Sequence, residues 1–227
     1  MILHYAVNHL SKEIMNSRQV LRAIKEALPK FFIDWYDERK IIGDCRKWEK
    51  TGRPIPPPHA VKRITIREYQ KQSNYNILVE TGTYYGDMGF AQMNFFKSIY
   101  SIELSLYFYN RAVRRFKAYK NVHLFCGDSA TELGSVIKNI HEPVIFWLDG
   151  HYSGGKTTKG NTECPIWEEL DCIISQHLPH IILIDDARCF IGERDYPTIE
   201  ELQCYFADNN IHHSFEVKDD IIRVVLK

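Results

Sequence analysis

Five short apolar runs set the fold of this chain: residues 77–79, 99–102, 122–125, 144–148 and 181–184. They are rich in β-branched and aromatic residues and show no clean alternation, as expected of strands buried on both faces of a parallel sheet. Helix-like segments fill the intervals. One, over 105–119, places Leu106, Tyr109, Val113 and Phe116 on a common face. Strands alternating with helices predict right-handed βαβ crossovers and a doubly wound, mainly parallel α/β sheet. Two further runs, 213–217 and 221–226, flank Lys218-Asp219-Asp220 and read as a closing antiparallel hairpin.

Each of the five runs ends in a carboxylate. These are Glu80, Glu103, Asp128, Asp149 and the pair Asp185-Asp186. In a parallel sheet all five ends share one edge, the edge at which open α/β folds bind ligands. Carboxylates crowded on one rim repel and raise each other's pKa values. Such a rim calls for cationic or hydrogen-bond-donating partners.

Upstream, residues 17–49 read as helical. Val20, Leu21, Ile24 and Leu28 recur at helical spacing, and Phe31, Phe32, Trp35, Ile41 and Ile42 follow Pro29. Pro54, Pro56, Pro57 and Pro58 then form a stiff linker. The expected division is a helical N-terminal cap with its proline-rich linker over 1–55, and a core over 56–227. The cap aromatics pack against the core, wall an acceptor pocket or form a homodimer contact. Lys plus Arg and Asp plus Glu both number 29, so no global field draws the chain to nucleic acid or an anionic membrane. No run is long and apolar enough to span a bilayer, and the first twenty residues do not read as a signal peptide. The six cysteines form no CxxC pair and read as buried free thiols of a reducing, cytoplasmic compartment.

The loop after the first run is Glu80-Thr81-Gly82-Thr83-Tyr84-Tyr85-Gly86-Asp87. Gly82 and Gly86 allow a tight turn and a close backbone approach to a ligand. Glu103 follows at the spacing from which an acid reaches ribose hydroxyls. The segments VETGTYYGD, YSIELS and FCGDSATEL together resemble the cofactor-binding motifs of the class I S-adenosylmethionine-dependent methyltransferases, a Rossmann-like family. The resemblance covers about residues 60–227 and is nearest to the metal-dependent O-methyltransferases. It implies that Glu80, Gly82, Thr83, Gly86, Glu103, Asp128 and Ser129 bind S-adenosylmethionine. Tyr84 stands where many members of the family carry a glycine.

The fourth run ends FWLDGHYSGG and the fifth ILIDDARCF. Neighbouring strands would bring Asp149, Asp185 and Asp186 toward one point. Three carboxylates form a hard oxygen set suited to Mg²⁺ or Ca²⁺. This pattern resembles the macrocin-type sugar O-methyltransferases of macrolide and aminocoumarin biosynthesis. It implies Mg²⁺-assisted O-methylation of a small-molecule or sugar-containing acceptor, with Asp149 and His151 catalytic and His151 as base. The alternative for the aspartates is helix capping and turn closure. Lys156 and Lys159, in the Gly-rich 153–165 loop, would suit a phosphate or nucleotide-sugar diphosphate, and a solvated loop would read the same. Arg111, Arg114, Arg115, Lys117 and Lys120 read as a solvated helix face. Three other functions stay open: a non-catalytic cofactor-binding module, a different metal-dependent Rossmann-like enzyme, and a methyltransferase acting on RNA or protein.

Overall fold

A computed structural model describes residues 30–150 and 163–227. The chain divides into two compact units, Met1–Lys47 and Trp48–Lys227. The first contributes most of helix α1 (Lys30–Lys50); residues 17–29 of the expected helix lie outside the described region. In the second unit, Trp48 Nε1 donates to the Pro54 carbonyl at 2.8 Å, so the proline segment folds back onto the end of α1.

The second unit runs α2 (His59–Ser73), β1 (Ile77–Thr81), α3 (Asp87–Gln92), β2 (Ser98–Glu103), α4 (Leu106–Phe116), β3 (Val122–Cys126) and α5 (Ser129–Ile137). It continues through β4 (Val144–Leu148), α6 (Ile166–Ile174), β5 (Ile181–Ile184), a 3₁₀ turn (Ala187–Cys189), α7 (Ile199–Asp208), β6 (His213–Lys218) and β7 (Ile221–Leu226). The strands form one sheet in the order β3-β2-β1-β4-β5-β7-β6. The pairs β1–β2, β1–β4, β2–β3 and β4–β5 are parallel; β7 pairs antiparallel with β5 and β6. This is the doubly wound sheet with an antiparallel C-terminal hairpin that the sequence predicts.

The unbroken apolar runs of β1, β4 and β5 have a simple cause: every residue in them is buried. Because strand side chains alternate faces, Ile77, Val79, Val144, Phe146, Leu148, Ile182 and Ile184 pack on one side with Leu133, Leu170, Leu202 and Phe206. Leu78, Ile145, Trp147, Ile181 and Leu183 pack on the other with Ile66, Met88 and Phe96. Helices α5, α6 and α7 thus cover one face, and α2 and α3 the opposite one. β3 departs from the expected burial on both faces: its residues are half-buried or exposed, because it is the edge strand. The hairpin turn is tight. Asp219 and Asp220 both take positive φ, at 55° and 62°, the conformation of the two-residue turn that matches strand twist. Asp219 accepts from Arg53 at 2.6 Å, while Asp220 is buried and accepts from Arg188 N at 2.8 Å.

Helix α4 buries Phe108, Ala112 and Phe116. Of the expected stripe, Phe116 is buried and Tyr109 half-buried, while Leu106 and Val113 are exposed. The reason lies in the loop after β1, whose Tyr84 and Tyr85 rings pack on Phe108 at 4.5 and 5.1 Å. Nor are the cysteines uniformly buried. Cys164 is, but Cys126 on the edge strand and Cys204 on α7 are exposed. Among the described residues, no helix is long and apolar enough to cross a membrane.

Candidate functional site

The five parallel strands bring the ends of β1 to β5 to one edge, and the strand order reverses between β1 and β4. The loops that leave these two strands flank the crevice where such sheets bind ligands. They touch through their backbones. Gly82 has φ +84°, and a Cβ there would lie 2.3 Å from the Asp149 carbonyl oxygen. Asp149 N in turn donates to the Thr81 carbonyl at 3.1 Å. A Cβ on Gly150 would lie 3.1 Å from Thr81 Oγ1 and 3.2 Å from Ser129 Oγ. Thr81 Oγ1 is buried without a hydrogen-bond partner. Gly86 is also left-handed (φ +72°), packed under the Phe116 ring. Between the two glycines Tyr84 adopts φ 49°, the conformation that a glycine takes without strain.

Glu80 does not stand open at this edge. It is 2% exposed and lies beneath the loop, its Oε2 accepting from Ser101 Oγ at 2.5 Å. Ser101 Oγ is 2.6 Å from Thr83 Oγ1, which extends the chain of hydroxyls into the loop. Burial, reinforced by the charges of Asp149, Glu103 and Asp87, pushes the Glu80 carboxyl up to about 8 against the bond from Ser101. Glu103 terminates β2. Its Oε2 accepts from Tyr84 N at 2.6 Å and its Oε1 from Ser105 N at 2.8 Å. These bonds tie the loop after β1 to that after β2. A carboxylate has roughly four lone-pair sites, so two remain for hydroxyls of a ligand. Burial raises the Glu103 pKa and its two backbone bonds oppose the rise. Asp128 caps α5, accepting from Ala130 N at 3.1 Å, and Ser129 is buried beside it.

Asp185 and Asp186 meet a cation already present in the chain. Lys62 Nζ, from α2, donates to Asp185 Oδ2 and, at 3.3 Å, to Asp186 Oδ1. Arg188 Nη1 also donates to Asp186 Oδ1, at 2.8 Å, and binds the buried Asp220. Burial draws the Lys62 pKa down, but Asp185, Asp186 and Asp149 outweigh it and leave it above its ordinary value. Asp185 itself is raised by burial, with Lys62 opposing. Among the described residues, no three His, Cys, Asp or Glu side chains gather in a group able to hold a metal ion. Two of the three expected carboxylates, Asp185 and Asp186, thus close on an ammonium, and as placed this pair does not fit a resident divalent ion. His151, Lys156 and Lys159 lie outside the described residues.

Several contributors were not foreseen. Ser101 and Arg188 join the acids from within the YSIELS and ILIDDARCF segments, where the sequence assigns them no role, and Lys62 joins from a helix that carries no motif. Arg115 leaves the expected solvated face: its side chain is 14% exposed, and it donates to the Tyr85 carbonyl at 2.6 Å and to Asp87 at 2.7 Å. It also lies over the Phe90 ring, and Arg111 lies over Tyr85. Helix α4 therefore pins the glycine loop with two guanidinium groups.

Neither a protein-family model nor a curated protein matches the sequence. Solved structures do match. The chain has the class I methyltransferase fold. The O-methyltransferase TomG of Streptomyces achromogenes, solved with S-adenosylmethionine, aligns over 82% of this chain and 88% of its own, with TM-score 0.56 and 12% identity. A Podospora anserina methyltransferase bound to S-adenosylhomocysteine aligns over 95% and 97%, with TM-score 0.52 and 16% identity. A Bacillus cereus O-methyltransferase, also bound to S-adenosylhomocysteine, aligns over 82% and 90%, with TM-score 0.51 and 12% identity. At such identities the likeness is one of fold. In the methyltransferase fold, the Gly82–Asp149 contact marks the switch point of the sheet.

Proposed function

We propose that this chain is an S-adenosylmethionine-dependent methyltransferase acting on an oxygen of a small-molecule or sugar-containing acceptor. The observation that carries the reading is the pairing of Glu103 with the left-handed loop after β1. A buried acid, 8% exposed and fixed by two backbone N–H groups, stands beside a glycine turn in backbone contact with the β4 loop. S-adenosylmethionine would supply an electrophilic methyl group on a sulfonium.

The residues of the chain bind and orient. Glu103 accepts hydrogen bonds from a ribose diol through its remaining lone pairs. Gly82 and Gly86 let the backbone approach the ligand closely. Asp128 and Ser129, at the start of α5, take the purine side of the cleft, and Thr83 continues the hydroxyl chain that ends on Glu80. Glu103 and Asp128, at the ends of β2 and β3, favour a cationic ligand over a neutral one. Asp149 and His151, beyond β4, orient the acceptor hydroxyl and take its proton. No step runs through a metal ion, because the Asp185–Asp186 pair is already bonded to Lys62 and Arg188. The net charge of zero suits a small acceptor better than nucleic acid.

The test is formation of S-adenosylhomocysteine from S-adenosylmethionine against a panel of hydroxylated acceptors, with Glu103→Ala as control. Turnover on one acceptor, lost in the variant, is expected. Tight binding of S-adenosylhomocysteine with no turnover on any acceptor would favour a non-catalytic module. No binding would remove the reading.

A further inference from the structure

The ends of β4 and β5 carry an acid set with a covalently attached counterion. Protein donors reach both carboxylate oxygens of Asp185 and Oδ1 of Asp186. Asp185 Oδ1 takes Asp186 N at 2.9 Å, Asp185 Oδ2 takes Lys62, and Asp186 Oδ1 takes both Lys62 and Arg188. Asp185 is fully buried, and the Lys62 side chain is 15% exposed. Lys62 is held in place by its own helix, one turn before the fully buried Ile66. Asp149 also acts on its charge.

We propose that Lys62 is the built-in cation of this centre, its ammonium standing where a divalent ion would otherwise bridge Asp149, Asp185 and Asp186. A divalent ion in an oxygen-only site needs several carboxylate or carbonyl oxygens directed at it at about 2.0–2.6 Å. Here the Asp185 and Asp186 oxygens accept hydrogen bonds, and an entering ion would meet a like charge that cannot diffuse away. Removing a chelatable metal therefore leaves the centre unchanged. The proposal concerns the centre assigned above to methyl transfer, but its test requires no turnover.

Manganese is the probe, because free and bound Mn²⁺ differ in their electron paramagnetic resonance signals. Wild-type protein titrated with Mn²⁺ to millimolar concentration is expected to leave the ion free. Lys62→Met is expected to bind Mn²⁺ at least roughly tenfold more tightly than wild type, as its carboxylates lose their ammonium. The double variant Lys62→Met/Asp185→Asn should lose that binding again. Binding by wild type that Asp185→Asn abolishes would overturn the proposal. So would a folded Lys62→Met protein that binds no more tightly than wild type. If the unpaired Asp185 prevents Lys62→Met from folding, wild type and Asp185→Asn decide the matter. Mn²⁺ bound by wild type through Asp185 overturns the proposal, and wild type with no bound Mn²⁺ and equal Tm in Mg²⁺ and in chelator supports it. Failure of every acceptor to turn over would bear on the proposed reaction and not on this cation.

Discussion

Replacing Glu80 by glutamine should stabilise the ligand-free protein, and the gain should grow with pH. Glu80 is wholly buried, and its carboxyl rises from 4.5 to about 8 in the folded chain. Between those values the unfolded chain has lost the proton and the folded chain has kept it. Folding therefore takes up a proton in this window, and stability falls as pH rises through it. Each pH unit is worth about 1.4 kcal/mol. At pH 7 the wild type has thus given up about 3 kcal/mol, and near pH 8 about 5 kcal/mol. Glutamine keeps an acceptor for Ser101 Oγ and does not titrate. The assay is urea unfolding of wild type and Glu80→Gln from pH 5 to pH 8, read as the difference in ΔG. Other rim carboxylates titrate in both proteins and cancel to first order. The difference should widen by about 1.4 kcal/mol per unit and level off near pH 8. A difference that stays flat across this range would refute the burial argument for Glu80.

Gly82→Ala should cost about 3 kcal/mol or more in unfolding free energy, combining left-handed strain with a backbone clash on Asp149, and should weaken S-adenosylhomocysteine binding in calorimetry. Arg115→Met removes the donors to the Tyr85 carbonyl and Asp87, so S-adenosylhomocysteine affinity should fall by roughly tenfold while the fold is retained by circular dichroism. Thr198→Ala breaks the capping box with Glu201 at the start of α7, far along the chain from the cofactor loops. It should lower stability by about 1 kcal/mol and leave S-adenosylhomocysteine affinity unchanged.

The strands were legible because β1, β4 and β5 are buried on both faces, which writes them as unbroken apolar runs. Their terminal acids were legible for a related reason: the chain leaves the core there, and polarity returns at a fixed point. The hairpin turn could be read from Lys218-Asp219-Asp220, since aspartate tolerates positive φ. Helix α4 was misread because its sequence carries two apolar stripes. Only tertiary packing by Tyr84 and Tyr85 selects the one through Phe108, Ala112 and Phe116. The partner of the Asp185–Asp186 pair was beyond reach. Lys62 lies 123 residues from Asp185 in sequence, on a helix whose lysines and arginines all look alike. Ser101 was hidden by its ordinary place in a strand, although its hydroxyl joins Thr83 to Glu80.

The central claim is that the edge between β1, β2 and β4 holds S-adenosylmethionine, and calorimetric titration with S-adenosylhomocysteine tests it most directly. The account predicts one site in the wild type, weakened by about 3 kcal/mol, or roughly 100-fold, in Glu103→Ala. No heat of binding in the wild type, or an affinity that Glu103→Ala leaves unchanged, would contradict it.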